Sequence, residues 1–255
     1  VLALNYMTYL HRSNALGAGY VMPVGERSML GFKAQYLDFG TMKSADADGN
    51  VLGDFSAKDM LLMGTYCFDF TDRLTGGVNG KFVYSNYEQV YSLALGVDLG
   101  LNYYHDDWKL SLSAVARNLG GQVKTFDDTY EALPFNLLMG VSKEFAHAPV
   151  RISLTLTDLH RWEAEDFYNS GDEAWSALLL KHFILGADIF PTHNTYLSVG
   201  YNFLLHSELK NHARRSAEGL SFGAGLQVRS IKVGVSYGKY HVAASSLMMN
   251  FAMAL

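Results

Sequence analysis

Histidines and a cysteine are the residues of this chain that could catalyse a reaction or bind a metal. The sequence contains 9 histidines and a single cysteine, Cys67. A hydrolase would need a serine, a histidine and an orienting Asn or Asp within hydrogen-bond reach. Most of the histidines fall in predicted turns or at strand ends, and only His182 is expected mid-strand and facing inward. A single cysteine excludes an internal disulfide and a cysteine-based zinc cluster. We therefore expect no enzyme activity and no cofactor.

The acidic segment 46–54 is the second candidate for chemistry, because it resembles a calcium-binding loop. Oxygen-bearing side chains stand at Asp46, Asp48, Asn50 and Asp54. The EF-hand pattern requires glycine at its sixth position, where this chain has Val51. Since Asp-Gly-Asn is also an ordinary tight-turn sequence, we predict no metal site here.

Long β-strands are the elements that must position these residues. Within 91–104, large apolar residues occupy the odd positions, and small or polar residues occupy the even positions. This strict period of two predicts a strand with one apolar and one polar face. At roughly 3.3 Å per residue the strand is long for a soluble protein and suits a tilted crossing of a bilayer. A long strand in a soluble sandwich is the alternative.

Composition supports a membrane barrel over a helical membrane protein. Hydrophobic residues make up 49% of the 255 residues, and the mean hydropathy is +0.03. The sequence has no uncharged apolar run of the length that a membrane-spanning helix needs. A barrel dilutes its apolar face with a polar lumen, which gives such an average. The formal net charge of −5 and the lack of a basic stripe give no reason to expect nucleic acid.

Fourteen strands are predicted, and the lengths of their connections alternate. Tight turns of two to four residues alternate with mostly longer segments, chiefly 39–57, 119–134 and 159–179. Outer-membrane barrels have short periplasmic turns and longer extracellular loops. The sequence thus predicts an all-β fold: a single transmembrane domain over 1–255, a barrel of 14 antiparallel strands in the bacterial outer membrane. The predicted strands are 1–10, 14–22, 27–38, 58–70, 73–85, 90–104, 107–118, 135–146, 149–158, 180–190, 194–206, 217–229, 231–241 and 245–255.

The polar face of each strand should line the lumen, since lipid offers no hydrogen-bond partners. Charges of both signs occur at the inward positions, which favours a pairing network that fills the barrel. A ring of charges that selects a solute is the alternative. The predicted lumen-lining residues are Lys81, Asp98, Arg117, Arg151, Asp188, Arg229 and Lys232.

The segment 159–179 is the strongest candidate for binding another protein. It places aromatic residues among five acidic ones, and exposed aromatics among charges are typical of contact surfaces. The alternative is that the loop folds its own aromatics over the barrel mouth. The predicted partner-binding residues on the long loops are Trp162, Phe167, Tyr168, Trp175, Asp46, Asp48, Phe126 and Tyr130.

Four short motifs stand out along the chain: Asp46…Gly49-Asn50…Gly53-Asp54-Phe55-Ser56-Ala57…Asp59, Leu133-Pro134-Phe135, Gly140-Val141-Ser142 and His147-Ala148-Pro149. Together they resemble the PorQ family of the type IX secretion system, whose barrel is similar to the FadL long-chain fatty-acid transporters. The resemblance implies a fourteen-stranded FadL-like barrel. It also implies an attachment complex in which the barrel anchors the surface protein PorZ beside PorU and PorV, where cargo is transferred onto lipopolysaccharide.

The chain departs from that family at both ends. Val1 opens directly into an alternating stretch, without the leader and plug-like segment that the resemblance implies, so we expect a mature or truncated chain. Leu255 stands where a terminal aromatic is usual.

Two functions follow as hypotheses. In the first, the long loops anchor a PorZ-like surface protein. In the second, the barrel is a FadL-like outer-membrane transporter of hydrophobic small molecules. FadL-like transport would favour an apolar lumen pocket. The inward positions are mostly small, polar or charged, with Leu61, Met63, Val115 and Leu138 as exceptions, so the residues favour the anchoring role.

Overall fold

A computed structural model shows a closed barrel of 14 antiparallel strands, which confirms the predicted fold class. It describes residues 1–9, 13–46, 48, 50–88, 90–127, 129–167, 174–209, 218–241 and 244–255. Each strand pairs with its sequence neighbours, and β1 pairs with β14 to close the sheet. The strands are β1 Leu2–Thr8, β2 Asn14–Pro23, β3 Ser28–Ala45, β4 Val51–Asp69, β5 Leu74–Tyr87, β6 Val90–His105, β7 Leu110–Lys124, β8 Asn136–Glu144, β9 Val150–Leu156, β10 Phe183–Thr192, β11 Thr195–Asn202, β12 Leu220–Val228, β13 Ile231–His241 and β14 Ala244–Met253.

The outer surface of the barrel is apolar, as the alternation predicts. In β6, Leu95 and Leu99 are about half exposed, whereas Ser92, Ala94 and Asp98 on the opposite face are buried. Exposed apolar residues recur on every side of the barrel, far beyond the patch that a soluble monomer exposes. A closed sheet with this outer face is the form in which strands cross a lipid bilayer, and the protein is therefore placed in the bacterial outer membrane.

The predicted loop 39–57 is wrong, because most of it belongs to strands β3 and β4. These strands, of 18 and 19 residues, continue as a hairpin beyond the rest of the rim. At the tip, Asp46 Oδ1 accepts hydrogen bonds from the backbone N–H groups of Asp48 and Asn50. This Asx-type turn brings the two strands together, and an ion pair of 3.1 Å between Lys43 and Asp54 spans them.

Two short helices replace strand residues that the sequence analysis predicted. Helix α1, Trp175–Lys181, precedes β10, and helix α2, Phe203–Leu209, follows β11. The apolar runs at both places could not be distinguished from strand by alternation alone. Neither helix in the described part of the chain is long and apolar enough to cross a membrane.

The described connections divide the barrel into two unequal rims. The chain ends and the short turns lie on one rim, and by the architecture of outer-membrane barrels this is the periplasmic rim. Lumen-facing residues near the opposite rim are buried, namely Ser13, Ala15, Ser92, Thr157 and Ser246. Inward residues near the periplasmic rim, such as Arg151 and Lys232, are exposed. The lumen is thus covered by loops outside and accessible from the periplasm.

Candidate functional site in the barrel lumen

A buried ion pair crosses the lumen face of β5 and β6. Lys81 Nζ lies 2.7 Å from Asp98 Oδ1, and their side chains are only 8% and 7% exposed. Asn79 Nδ2 donates to the second oxygen of Asp98 at 3.1 Å, and Lys81 also donates to Asn118 Oδ1 at 2.8 Å. The two charges and their hydrogen bonds satisfy one another, so this pair fills its part of the lumen as the sequence analysis predicts.

The same network holds a bulge in strand β7. The pairing of β6 with β7 shifts between Leu99–Ala116 and Val97–Leu119, where Asn118 has a φ of +61° and Gly120 a φ of +151°. The backbone N–H of Asn118 donates to Asp98 Oδ1 at 2.8 Å. Gly120 has no substitute there, because a Cβ would collide with the carbonyl oxygen of Leu95. The carboxylate of Asp98 therefore stabilises both the lysine and the bulge.

The β7–β8 loop enters the lumen directly above this bulge. Leu133 donates its N–H to Gly120 O, and its side chain lies against Gly96 on the lumen face of β6. A Cβ built on Gly96 would stand 2.6 Å from Leu133 Cδ1. Leu133 thus takes the space that a side chain at position 96 would fill, and it narrows the outer half of the lumen.

A second closure lies at the ends of β9 and β10, where His182 is completely buried. Its Nδ1 lies 2.7 Å from the carbonyl oxygen of Thr157, which fits an N–H donated by the imidazole. The rings of Trp162 and Phe167 pack on it at centroid distances of 4.3 and 5.6 Å. Its Nε2 is buried without a hydrogen-bond partner among the described residues. His182 therefore lies at the helix-to-strand boundary in a small aromatic cluster, and not in mid-strand.

An open recess lies in the lumen wall on strands β11 to β14. Its volume is about 320 Å³. Glycines on neighbouring strands, such as Gly200 and Gly223, form its base because they carry no side chain. The register aligns Ser198, Gly223 and Ser236 across three strands, and Met248 and Met7 continue the row. Small residues at matching inward positions make the hollow, and serine hydroxyls together with the side chains of Met7 and Met248 line it.

The next row towards the periplasm bounds the recess with an aromatic ring. The inward-facing Tyr196 lies across Gly225 and Gly234, two glycines on the neighbouring strands. Asn250 follows in the same row and is exposed to the lumen. The side chains of Tyr196, Ser221, Ser236 and Asn250 make no hydrogen bond to any described residue. They are free to bind water or a solute.

The other predicted lumen residues fall into three situations. Arg151 forms an ion pair of 2.8 Å with Asp188, whose other oxygen accepts the hydroxyl of Ser198. Arg117 and Lys232 face the lumen in register with Asn136 and Gln227 and are exposed. Arg229 lies in the turn between β12 and β13, outside the strands, so it is a rim residue.

The predicted contact residues are spread over several loops. Trp175 on α1 is 67% exposed, and Tyr130 and Trp162 are also exposed. Phe126 stacks on Tyr87, and Asp46 and Asp48 form the tip of the β3–β4 hairpin. Phe167 is only 4% exposed, so it packs within its own loop and cannot contact a partner. Tyr168 lies outside the described residues.

The described residues do not support a nucleophilic serine or a metal site. Ser221 and Ser236 each stand in a Gly-x-Ser-x-Gly spacing, but both lie within strands and not in the strand-to-helix turn that exposes a nucleophile. In the described ranges, no group of three or more His, Cys, Asp or Glu side chains is placed to hold a metal ion.

Comparison with known proteins finds the same architecture in solved outer-membrane channels. The toluene transporter TodX of Pseudomonas putida superimposes with a TM-score of 0.58 at 13% identity, over 98% of this chain and 86% of that chain. The toluene transporter TbuX of Ralstonia pickettii gives 0.57 at 11% identity, with the same coverages. A FadL homologue of Pseudomonas aeruginosa gives 0.51 at 9% identity, over 98% of this chain and 87% of that chain.

No family model and no curated protein matches the chain. The resemblance to the PorQ family therefore stays a prediction. At identities this low, the likeness to solved structures shows the fold alone: the chain is a 14-stranded outer-membrane barrel with an architecture similar to that of these channels.

Proposed function

We propose that the protein is an outer-membrane channel that passes small uncharged molecules through its lumen. The observation that carries this proposal is the recess on β11 to β14, whose free hydroxyl and amide groups face an accessible lumen. Lys81 and Asp98, by contrast, satisfy each other within the lumen wall. Unpaired polar groups around a hollow are typical of a surface that meets solutes.

The distribution of apolar surface also supports a water-filled route. A wide apolar groove lies on the outer side of β2 to β6, between the ridges of Phe32, Leu62 and Phe82, where lipid covers it. The lumen-facing hollow instead combines serines with the side chains of Met7 and Met248. Hydrophobic molecules, the cargo that the FadL-like resemblance implies, are the competing class of solute.

The described loops narrow the path through the barrel at the outer rim. Leu133 stands over Gly96, and the cluster of Trp162, Phe167 and His182 covers the adjoining ends of β9 and β10. Movement of these loops would widen the path. Loops of this kind connect strands without belonging to the ladder, so they can move without opening the sheet.

Liposome swelling tests the proposal. Liposomes that contain the purified barrel are diluted into isotonic glucose, and the rate of swelling reports solute entry. We expect swelling above that of protein-free liposomes, and faster swelling for Leu133→Ala, which removes the side chain over Gly96. If neither the native barrel nor Leu133→Ala admits glucose or glycerol, the protein is not a channel for small uncharged molecules.

A second candidate function is the anchoring of a surface protein by the long loops, as the PorQ resemblance implies. The observation in its favour is Trp175, the most exposed tryptophan, which stands on a helix of the outer rim that also carries the half-exposed Leu180. A large aromatic side chain in this position is the kind of residue that dominates protein interfaces. Anchoring and transport use different parts of the molecule, so each can be tested alone.

A further inference from the structure

We propose that the recess on β11 to β14 is a binding site for an uncharged polyhydroxylated molecule about the size of a monosaccharide. The inference rests on the proposed channel function and names the solute class that its lumen would take. Three properties of the recess support this assignment: its shape, its unpaired polar groups and its lack of charge.

The shape comes from the register of three strands. Gly223 lies between Ser198 and Ser236 in one inward row, and a Cβ built on it would meet only ordinary contacts of 3.5 to 3.8 Å. Gly223 therefore leaves room for at least a methyl group at the base of the recess, and close packing of the backbones does not require glycine there. With a volume of about 320 Å³, the hollow can receive a single sugar ring.

The polar groups match adjacent hydroxyls. Ser221, Ser236 and Asn250 present two hydroxyl groups and one amide, none of which bonds to a described residue. A serine hydroxyl both donates and accepts, and an amide offers both kinds of group, so together they can engage several neighbouring hydroxyls of one molecule. Tyr196 adds a ring at the edge of the recess, against which the C–H face of a sugar ring can pack.

An apolar solute fits these groups poorly. A monoaromatic hydrocarbon of equal volume would displace water from the serine hydroxyls and return no hydrogen bond. Sites that offer hydrogen-bonding groups discriminate strongly against ligands that leave those groups unpaired.

A charged solute is disfavoured by the surroundings. Among the described residues, none that lines the recess carries a formal charge. The nearest acidic group in the row, Asp188, is already held by Arg151 and by the hydroxyl of Ser198. The recess therefore offers neither a cation to a carboxylate nor a free carboxylate to an amine, and a neutral molecule fits it best.

Ligand-detected NMR on the purified barrel in detergent micelles tests the site. Glucose is the probe, toluene is a smaller apolar probe, and gluconate is the charged one. Because toluene also dissolves in micelles, only the part of its signal that Gly223→Ala removes counts as binding at the recess. We expect glucose to bind with the highest affinity of the three. Ser221→Ala with Ser236→Ala should weaken glucose binding about tenfold, since two hydrogen-bonding groups are lost. Ser113→Ala, an unpaired lumen serine on β7, is the matched control and should leave binding unchanged.

A second variant keeps the test independent of the serines. Gly223→Ala adds one methyl group to the base of the recess without a steric clash, so the barrel should fold and bind glucose more weakly. The proposed site is wrong if the serine double variant and Gly223→Ala both bind glucose like the native protein, or if toluene binds more tightly than glucose. Glucose entry into liposomes without NMR-detected binding would overturn the site and leave the channel function standing. No entry of any solute would overturn the channel function itself.

Discussion

Lys81 and Asp98 meet at 2.7 Å on the lumen face of β5 and β6, and the same carboxylate accepts the N–H of Asn118 at the bulge of β7. The side chain of Asp98 thus links the buried charge of Lys81 to the bulge of β7. A change at this carboxylate or at its lysine partner therefore affects both the ion pair and the bulge.

Lys81→Met should therefore destabilise the barrel strongly. The substitution leaves the carboxylate of Asp98 buried without a cation, and breaking a buried pair in this way costs about 3–5 kcal/mol. Chemical denaturation of the barrel in lipid, followed by tryptophan fluorescence, measures the loss. Lys81→Met combined with Asp98→Leu removes both charges and should recover much of the stability. A double variant as unstable as the sum of its single variants would contradict the pairing.

Leu99→Arg should be far more damaging than Gly100→Arg. Leu99 is half exposed on the outer face, and an arginine near the bilayer midplane costs about 2–4 kcal/mol. Gly100 faces the lumen, where a Cβ meets only Val115 Cγ2 at 3.7 Å. A refolding titration in lipid vesicles compares the two variants, and equal losses would mean that the assigned faces are wrong.

Gly96→Ala should raise the conductance of the barrel. The new methyl group would stand 2.6 Å from Leu133 Cδ1, so the flexible end of Leu133 must shift away from β6, which loosens the β7–β8 loop over the lumen. Gly100→Ala is the matched control, because its methyl group makes only an ordinary contact. Planar-bilayer recordings should show larger or more frequent openings for Gly96→Ala alone. Identical recordings for both variants would remove Leu133 from the closure.

Trp175→Ala should release a surface partner, under the anchoring proposal, and leave the barrel folded. Removal of an aromatic anchor from an interface typically costs about 2 kcal/mol or more. Trp108→Ala is the control, because Trp108 is similarly exposed, 62% against 67%, but lies in a turn of the opposite rim. Co-purification from native membranes compares the two, and retention of the same companions by Trp175→Ala would count against this helix as the docking point.

Lys109 should titrate above the ordinary value of lysine. Its hydrogen bond of 2.7 Å to Glu144, together with the charge of that carboxylate, raises the pKa of Lys109. The pair stabilises the protonated amine, so its contribution to folding is fully present below the ordinary lysine pKa. That contribution is lost as the pH rises through the raised pKa. NMR titration of labelled lysines should show a lower pKa for Lys109 in Glu144→Gln, and an unchanged value would exclude the pair.

The alternation of apolar and polar residues is enough by itself to predict the barrel fold. A strand such as β6 has a period of exactly two side chains, so Leu95 and Leu99 had to share one face and Asp98 the other. Lipid then requires closure, and the alternation of short and long connections fixed the orientation of the two rims. These are local properties, and local properties can be derived from sequence.

Only the tertiary structure shows which inward side chains become neighbours, because this depends on the register between paired strands. Sequence showed that Lys81 and Asp98 point inward, but only pairing across β5 and β6 brings them together. Ser198, Gly223 and Ser236 are ordinary inward residues until the ladder aligns them into a recess. Likewise the aromatics of 159–179 were equally consistent with an exposed surface and a packed loop. The fully buried His182 decided that Phe167 packs inward, while Trp175 stays in solvent.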